Sequence, residues 1–363
     1  MTPVITVVVV SWEGLHLLGS CLDALENQTL PRAQYQVWLV DNGSTDGTAQ
    51  VAAQRWPRVR VLRSETNLGF AGGCDLALRQ VTTPYAVLVN NDAVADVGLL
   101  AALLQTAASG TGRLGAVTAK VLLAERFRAV PDGTDRAVRL ADGRWAIVTD
   151  RSDLDGLDVL NSTGNEVRTD GRGQDRGWLA VDADAAFPPE VFGFCGAAAL
   201  LDMSATRAAG GFDPRYFLYY EDTDLSWRLR LLGFDIAYEP RAVVWHAHAA
   251  SAGEGSRLHL FHDERNRLLT LVKCAPAQSA ALLLLRHLLT VASIAARETP
   301  RWSTTGTRLR SLASFMRLLP DAVAQRRRIG RTLVVERRLV SRLLVAPETR
   351  GRLRPRAERR DVR

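Results

Sequence analysis

Cysteine is scarce in this chain and scattered: Cys21, Cys74, Cys195 and Cys274 form no CxxC pair. That spacing argues against a disulfide framework and against a zinc site, and it suits a reducing cytoplasm. Lysine is scarcer still, with Lys120 and Lys273 the only two, so the basic character belongs almost wholly to arginine. A charge-free apolar run is also lacking. The stretch 277–296 comes nearest, but Arg286 and His287 interrupt its middle. A central arginine costs about 2.5–3.5 kcal/mol on insertion scales, so a packed or interfacial helix is expected there. The opening MTPVITVVVVSW has no basic leader and no small-residue cleavage site, and it reads as a first strand instead of a signal peptide. That strand runs into SWEGLH and not into GxGxxG, which disfavours a dinucleotide-dependent dehydrogenase. Residues 10–20 hold no basic, glycine-rich triphosphate loop, which argues against a nucleotidyltransferase. No internal repeat is visible.

With 363 residues, 47% hydrophobic and 23% charged, the chain has material for one large or two modest globular domains. Its net charge of +7 is unevenly spread. Between Arg301 and Arg363, 18 arginines stand against 5 acids, a local +13 that leaves −6 for everything before. An acidic or neutral body with a basic tail points to an anionic partner, although arginine-rich composition alone gives a similar excess. Over 309–344, apolar residues alternate with arginine at helical spacing, which suits a helix lying among lipid headgroups. Membrane, and not nucleic acid, is the expected partner, met from the cytoplasmic side.

The first hundred residues alternate short apolar runs with helical patterns. Residues 4–10 are continuous and β-branched, as in a strand buried on both faces. A helical pattern over 15–25 follows, then a strand over 37–40 that ends in Asp41-Asn42-Gly43-Ser44, with Thr45 or Asp46 placed to cap the next helix. A strand over 59–62, a helix over 71–80 and a strand over 85–89 complete the run, the last ending at Asn90-Asn91-Asp92. This order implies an α/β fold with a mostly parallel sheet and helices on both faces. In such sheets the ligand crevice lies at the carboxyl ends of the strands. Three of the four strands deliver polar groups there: Ser11-Trp12-Glu13, Asp41-Asn42 and Asn90-Asn91-Asp92. Residues 125–189 lose periodicity and become rich in Asp, Gly and Arg, as a functional loop region does. A helix over 222–232, a strand ending near His246 and helical patterns from 256 to 345 are expected beyond it.

Each chemical motif has a plain structural reading beside the functional one. Asp41 is placed to accept the imide N–H of a pyrimidine base, or simply to hold the DNGSTDG turn. The glycine-rich run from Asn67 through Gly69 to Gly73 either lets backbone approach a diphosphate or connects a strand to a helix. Asn90-Asn91-Asp92 is either an Asx turn or one side of a divalent-cation site, since a hard cation that bridges phosphates needs few protein ligands. In YYEDTDLSWR, acids at a helix start suit the helix dipole, which accounts for Asp224. The two aromatics before the acids, Tyr219 and Tyr220, suggest a sugar-binding wall, beside which a carboxylate would take a proton from a hydroxyl within about 3 Å. His246 and His248 share one strand face, and a histidine and an aspartate at two strand ends make a metal pair.

Taken in order, VVVVSWEG, VDNGSTDGT, NLGFAGG, VLVNND, FGFCGAAALL, GGFDPRYFLYYEDTDLSWRLRLLGF and VWHAHAAS resemble the family 2 glycosyltransferases, most of all a bacterial rhamnosyltransferase-like branch. The likeness runs from Val4 to Arg267, and NSTGNEVRTDGRGQDRGW over 161–178 shares it. The resemblance implies a GT-A fold (Rossmann-like, with flanking helices and here a C-terminal helical extension), Mg2+ or Mn2+, and inversion at the anomeric carbon. It implies a dTDP- or UDP-sugar donor bound by Ser11, Trp12, Glu13, Asp41, Asn67, Gly69, Asn90 and Asn91. Metal would be held by Asp92 and His246, the acceptor by Tyr220, Glu221 and Trp227, with Asp222 as catalytic base. Asn90 stands where the family has the first acid of its DXD motif, so that position offers a hydrogen bond but no charge. The implied layout is a catalytic domain over 1–255 (donor half 1–120, acceptor half 121–255), a membrane-associated helical region over 256–347, and a disordered basic tail over 348–363. The acceptor would be a lipid-linked or cell-envelope glycan. A catalytically weak nucleotide-sugar-binding scaffold at the membrane is the alternative.

Overall fold

The strand Ile5–Ser11 (β1) is buried along its whole length, and its side chains divide alternately between two cores. Ile5, Val7 and Val9 enter one and Val8 and Val10 the other, so both faces of the sheet are covered. The computed structural model describes residues 2–109, 112–247, 256–297 and 304–347. The helix Leu15–Glu26 (α1) follows, then Tyr35–Asp41 (β2), Thr48–Arg55 (α2), Val59–Arg63 (β3), Gly69–Leu78 (α3) and Tyr85–Asn90 (β4). Next come Ala93–Ala95 (β5), Leu99–Ser109 (α4) and Leu114–Leu123 (β6). Further along lie Ala198–Asp202 in the central sheet, Met203–Ala208 (α5), Glu221–Leu231 (α6) and Asp235–His246. Helices α1 and α4 pack one face through Leu18, Leu22, Leu25, Leu99 and Leu103, while α3 and α6 cover the other through Ala77, Leu78, Leu225 and Leu229. Each such leucine contributes about 1.5–3 kcal/mol on burial.

Between Leu123 and Ala198 the structure departs from the expected loop region. Arg126–Val130 (β7), Val138–Arg139 (β8) and Trp145–Thr149 (β9) form a three-stranded antiparallel sheet in the order β7-β9-β8. Leu160–Ser162 (β10) pairs with β6, and Asn165–Val167 (β11) pairs with Gly173–Asp175 (β12). The reason is local. These strands have five residues or fewer, and only one face is apolar, with Phe127, Val138 and Ala146 turned inward. Turns rich in Asp and Gly between them hide so short an alternation.

With Ala198–Asp202 as β13 and Asp235–His246 as β14, the central sheet runs β3-β2-β1-β4-β13-β6-β14-β5, and β10 flanks β6. Strands β1 to β4, β6 and β14 run parallel, and β13 is antiparallel between β4 and β6. Ser11, Asp41, Asn90 and His246 therefore close their strands on one edge of the sheet.

The outer face of α6 carries the C-terminal helices Arg257–Cys274 (α7), Ala277–Arg297 (α8), Thr305–Thr332 (α9) and Arg337–Val340 (α10). Trp227 and Leu231 pack with Leu271, Cys274 and Leu283, and Tyr216 and Tyr220 pack with Leu268, Leu269, Val272 and Phe315. The arginine-rich helix expected over 309–344 ends at Thr332. There the N–H groups of Val334 and Val335 turn to the Leu231 carbonyl, both at 3.0 Å, and cap α6. Two of its arginines also face inward: Arg326 donates to the Val272 and Ala275 carbonyls at 2.8 and 2.7 Å, and Arg337 reaches the Lys273 carbonyl. By length and a mean hydropathy of 1.7, α8 is apolar enough to cross a membrane. It packs inward through Ala280, Leu283, His287 and Val291 and leaves Leu282, Leu285, Leu288 and Leu289 exposed. The stretch 348–363 and His248 lie outside the described residues.

All four cysteines are buried and unpaired. Burial pushes the Cys21 and Cys274 thiols up to about 12, with the Asp92 and Asp224 carboxylates adding to the effect.

Candidate active site

At the β2 edge, Asp41 is almost wholly buried. Its Oδ1 accepts from the Ser44 N–H at 2.9 Å, and Arg63 Nε stands 3.6 Å from Oδ2. Glu13, held at φ 48°, accepts from Thr45 N–H and Oγ1 at 2.8 and 3.0 Å. Its own N–H donates to Ser44 Oγ. Asp46, expected as a helix cap, accepts from Thr48 and also from the Leu15 N–H, tying α2 to α1. Trp12 is 49% exposed beside this corner and is available to stack on a flat ligand. Ser11 Oγ accepts from Asn91 Nδ2 at 3.0 Å. The residues expected around a nucleoside are thus brought together.

Asn42, which the motif reading gave no separate role, organises the glycine-rich turn. Its Nδ2 donates to Asn67 Oδ1 and the Gly69 carbonyl, and its Oδ1 accepts from the Leu68 N–H. Gly69 sits at φ +71°, and a Cβ there would lie 2.3 Å from the Phe217 carbonyl oxygen. Only glycine fits both the left-handed backbone and that approach.

The β4 and β14 ends meet at a carboxylate and an imidazole, with Asp92 Oδ1 3.1 Å from His246 Nε2. The other ring nitrogen, Nδ1, donates to Asn161 Oδ1 at 2.7 Å, and Asn90 Nδ2 approaches Nε2 at 3.4 Å. An amide oxygen only accepts, so the proton belongs on Nδ1 and Nε2 turns a lone pair toward the carboxylate. Two facing acceptors call for a second proton or a shared cation. Asn90 Oδ1 is buried nearby without a hydrogen-bond partner. One carboxylate and one imidazole fit Mn2+ or Mg2+, which leave remaining positions to water and phosphate oxygen. Among the described residues no group of three or more His, Cys, Asp or Glu side chains gathers to hold a metal without such help. The buried Asn161, which orients the histidine, was missed as a site residue, although its NSTGN segment stood out in the sequence.

The acids at the start of α6 separate by environment. Asp222 is half-buried: Oδ2 accepts from the Gly196 N–H at 3.0 Å, and Oδ1 accepts from Thr223 N–H and Oγ1 at 2.6 and 3.2 Å. Burial raises its pKa above the ordinary carboxylate value, tempered by these bonds and one from Asn165. Glu221 is buried with Oε2 unpartnered. Burial, and then the Asp222 and Asp224 charges, push its pKa well above the ordinary glutamate value. Asp224 is fully buried and binds Arg228 and Lys273, both at 2.7 Å, and the Tyr216 hydroxyl at 3.0 Å. Its role is that of a buried ion-network member, beyond any helix-dipole effect. Two aromatics expected to meet the acceptor are turned into the core instead. Trp227 is 1% exposed, edge-on to Phe192 inside the core, because α6 is covered on all sides. Tyr220 is buried, and its hydroxyl accepts from the Gly173 N–H at 2.9 Å.

The segment that delivers Asp222 is strained, since Phe217, Tyr219 and Tyr220 all have φ between 64° and 68°. The fully buried Asn266 of α7 holds it. Its Nδ2 lies 2.9, 2.8 and 2.7 Å from the Tyr216, Leu218 and Tyr219 carbonyls, and Arg265 donates to the Arg215 and Tyr216 carbonyls. The Phe217 carbonyl in turn accepts from the Ala71 N–H on α3. One loop therefore connects the glycine-rich turn to Asp222.

The model of the glycosyltransferase-like family 2 matches residues 3–260. The N-acetylglucosaminyl-diphospho-decaprenol L-rhamnosyltransferase of Mycobacterium tuberculosis is 30% identical over 275 residues, 72% of this chain and 81% of that protein. GalNAc-T7 with UDP, GalNAc and Mn2+ superposes with a TM-score of 0.56 at 12% identity, over 89% of this chain and 57% of that one. S. aureus TarS 1-349 gives 0.51 at 15% identity, over 94% and 90%. At such identities the two structures speak to the fold alone, which is of the GT-A type.

Proposed function

This chain belongs to glycosyltransferase family 2, and from that premise we propose that it moves a sugar, rhamnose first among candidates, from a dTDP- or UDP-sugar to a hydroxyl of a lipid-linked or cell-envelope glycan, with inversion. The mycobacterial relative, named for rhamnosyl transfer to a diphospho-decaprenol acceptor, supports the choice of sugar and of acceptor class. One observation carries the reading. Asp222 is tied by the Gly196 N–H to the start of β13, and β13 lies against β4. The carboxylate therefore faces the same sheet edge as Asp41 and the Asp92–His246 pair.

In this reading Asp41 accepts the imide N–H of the base, and Ser11, Trp12, Glu13, Asn90 and Asn91 surround the nucleoside. The backbone of Asn67–Gly69 meets the diphosphate. The acceptor oxygen bonds the anomeric carbon and gives its proton to Asp222 as the bond from that carbon to the diphosphate breaks. The nucleoside diphosphate leaves with the electron pair, so no covalent enzyme intermediate arises. A divalent cation held by Asp92 and His246 would supply positive charge to the departing diphosphate.

Calorimetric titration with UDP, dTDP and GDP, with and without Mn2+, tests the donor site. Mn2+ is expected to tighten dTDP or UDP binding about tenfold or more, a gain of about 1.4 kcal/mol, and Asp92→Ala is expected to lose it. Nucleotide affinity indifferent to both Mn2+ and Asp92 would remove the metal role. Binding without transfer to any acceptor would leave the scaffold reading.

The exposed leucines of α8 support peripheral attachment to the cytoplasmic face of a membrane. The double variant Leu285→Glu/Leu289→Glu should lower co-sedimentation with phosphatidylglycerol vesicles tenfold or more, because half-burying two leucines is worth about 1.5 kcal/mol or more. Unchanged sedimentation would place the contact elsewhere.

A further inference from the structure

Three buried arginines lack a carboxylate within 4.0 Å among the described residues: Arg176, Arg265 and Arg267. The first two spend their N–H groups on carbonyl oxygens, Arg176 on Glu190 and Thr163 and Arg265 on Arg215 and Tyr216. Arg267 differs. It is 6% exposed, its Nη2 donates to His287 Nδ1 at 2.9 Å, and its Nε is buried with no partner. Because Nδ1 accepts, the neutral ring carries its proton on Nε2, which faces the equally buried and unpartnered Glu264 Oε2 at 4.0 Å. Burial, with the Arg267 and Arg172 charges, holds His287 down at about 4, so the imidazole itself adds no charge.

Two further guanidiniums belong to this junction of α7, α8, α9 and the β11–β12 turn. Arg172 lies 3.5 Å from Asp263, and Arg308 contacts Glu264. Burial lowers the pKa of both Arg267 and Arg308, and the Arg172 charge lowers each further. Each of the outer two has one carboxylate in contact; the buried central one has none within 4.0 Å, and Asp263 and Asp170 act on it only from farther away. A buried cation with an orphaned donor costs stability unless an anion completes it. Guanidinium is also the side chain best matched to phosphate oxygens. Tyr220, two residues before Asp222, lies against this cluster, within electrostatic reach of Arg267, Arg172 and Asp263.

We propose that Arg267 and Arg172 form a binding site for the phosphate groups of the acceptor, beside the middle of the apolar helix α8. The inference rests on the reading that the acceptor is phosphate-bearing and lipid-linked. It places the lipid end of the acceptor along α8 and its sugar end toward Asp222.

The probe is inorganic pyrophosphate with EDTA present and dTDP saturating, read by thermal unfolding. The wild-type Tm should rise with pyrophosphate. Arg267→Met should unfold no lower than wild type without ligand, since an unpaired buried charge is removed, and should show no rise. Arg172→Gln, on the surface, should need at least threefold more pyrophosphate for the same rise. A lower Tm for Arg267→Met with the pyrophosphate response retained would make Arg267 structural and overturn the proposal. So would a wild-type response abolished by dTDP, which would assign the anion to the donor site. A second arm separates a lipid-borne diphosphate from free phosphate. Arg172→Gln should raise KM tenfold or more for GlcNAc on a short prenyl diphosphate, and not for GlcNAc on a neutral octyl chain; equal effects on both would overturn it. If wild type uses neither acceptor, the transfer reading fails, while the pyrophosphate arm still decides the site.

Discussion

Asp222→Asn should lower sugar transfer by about 10²- to 10⁴-fold, the usual loss when a positioned general base is removed, while leaving dTDP or UDP affinity within about twofold. Single-turnover transfer paired with calorimetry reads both quantities. The argument lies in the contrast between adjacent carboxyls. Glu221 is buried with an unpartnered oxygen and neighbours two acids, all of which disfavour its charged form. Asp222 is half-buried, and its oxygens accept from Gly196 and Thr223; those bonds favour the anion, while burial raises its pKa and strengthens it as a base. The working form is the carboxylate. Wild-type rates should therefore fall as pH drops through that raised value, and the asparagine variant should lack that limb. Glu221→Gln, the matched control, should lose less than about threefold, because burial and its acidic neighbours already disfavour the charge that the amide removes. Full turnover by Asp222→Asn would end its assignment as the base.

The second large effect concerns stability. Lys273→Met should cost about 3–5 kcal/mol, the loss expected when one partner of a buried ion pair is removed and its charge is left behind. Lys273 is 1% exposed and lies 3.0 Å from Asp213 and 2.7 Å from Asp224, with the Tyr216 ring 4.8 Å beneath it. It fastens α7 to the loop and helix that present Asp222. Asp213 also retains Arg215 and Gln325, and Asp224 retains Arg228, which places the expected loss near the lower bound. Burial alone would raise Asp213, but the charges and hydrogen bonds of Lys273 and Arg215 outweigh it and hold the carboxyl at about 2. A depressed carboxyl stabilises the fold above its unfolded value, about 3.9, and that contribution disappears as pH falls toward 2. Urea unfolding of wild type should thus weaken between pH about 4 and about 2, and the variant should be flatter there. A midpoint unchanged at pH 7 would show the network to be dispensable.

The parallel half of the sheet was readable because β1, β2 and β4 are buried on both faces and so appear as unbroken apolar runs. Strand ends are punctuated by polar residues, which is why Asp41, Asn90, Asp92 and His246 stood out together. Periodicity shows which residues turn inward, not what they meet. Trp227, beside a cluster of acids, was expected to meet the acceptor, yet α6 is enclosed and the indole packs on Phe192. Asn161 and His246 are 85 positions apart, Asp213 and Lys273 60 apart, and Asn266 reaches back to a loop 47 to 50 residues earlier. No local pattern announces such pairings. The small sheet of β7, β8 and β9 was lost for the opposite reason: its strands are too short and too polar on one side to register against their turns.

The cysteines, unremarked by the chemistry, make the molecule its own reporter of opening. Cys21 lies on α1, Cys74 on α3, Cys195 before β13 and Cys274 at the end of α7, and no other thiol competes with them. An alkylating reagent reacts with none until the surrounding packing parts. The order in which the four are modified would then give the sequence in which the donor-side helices, the sheet and the C-terminal helices let go, without any label being introduced.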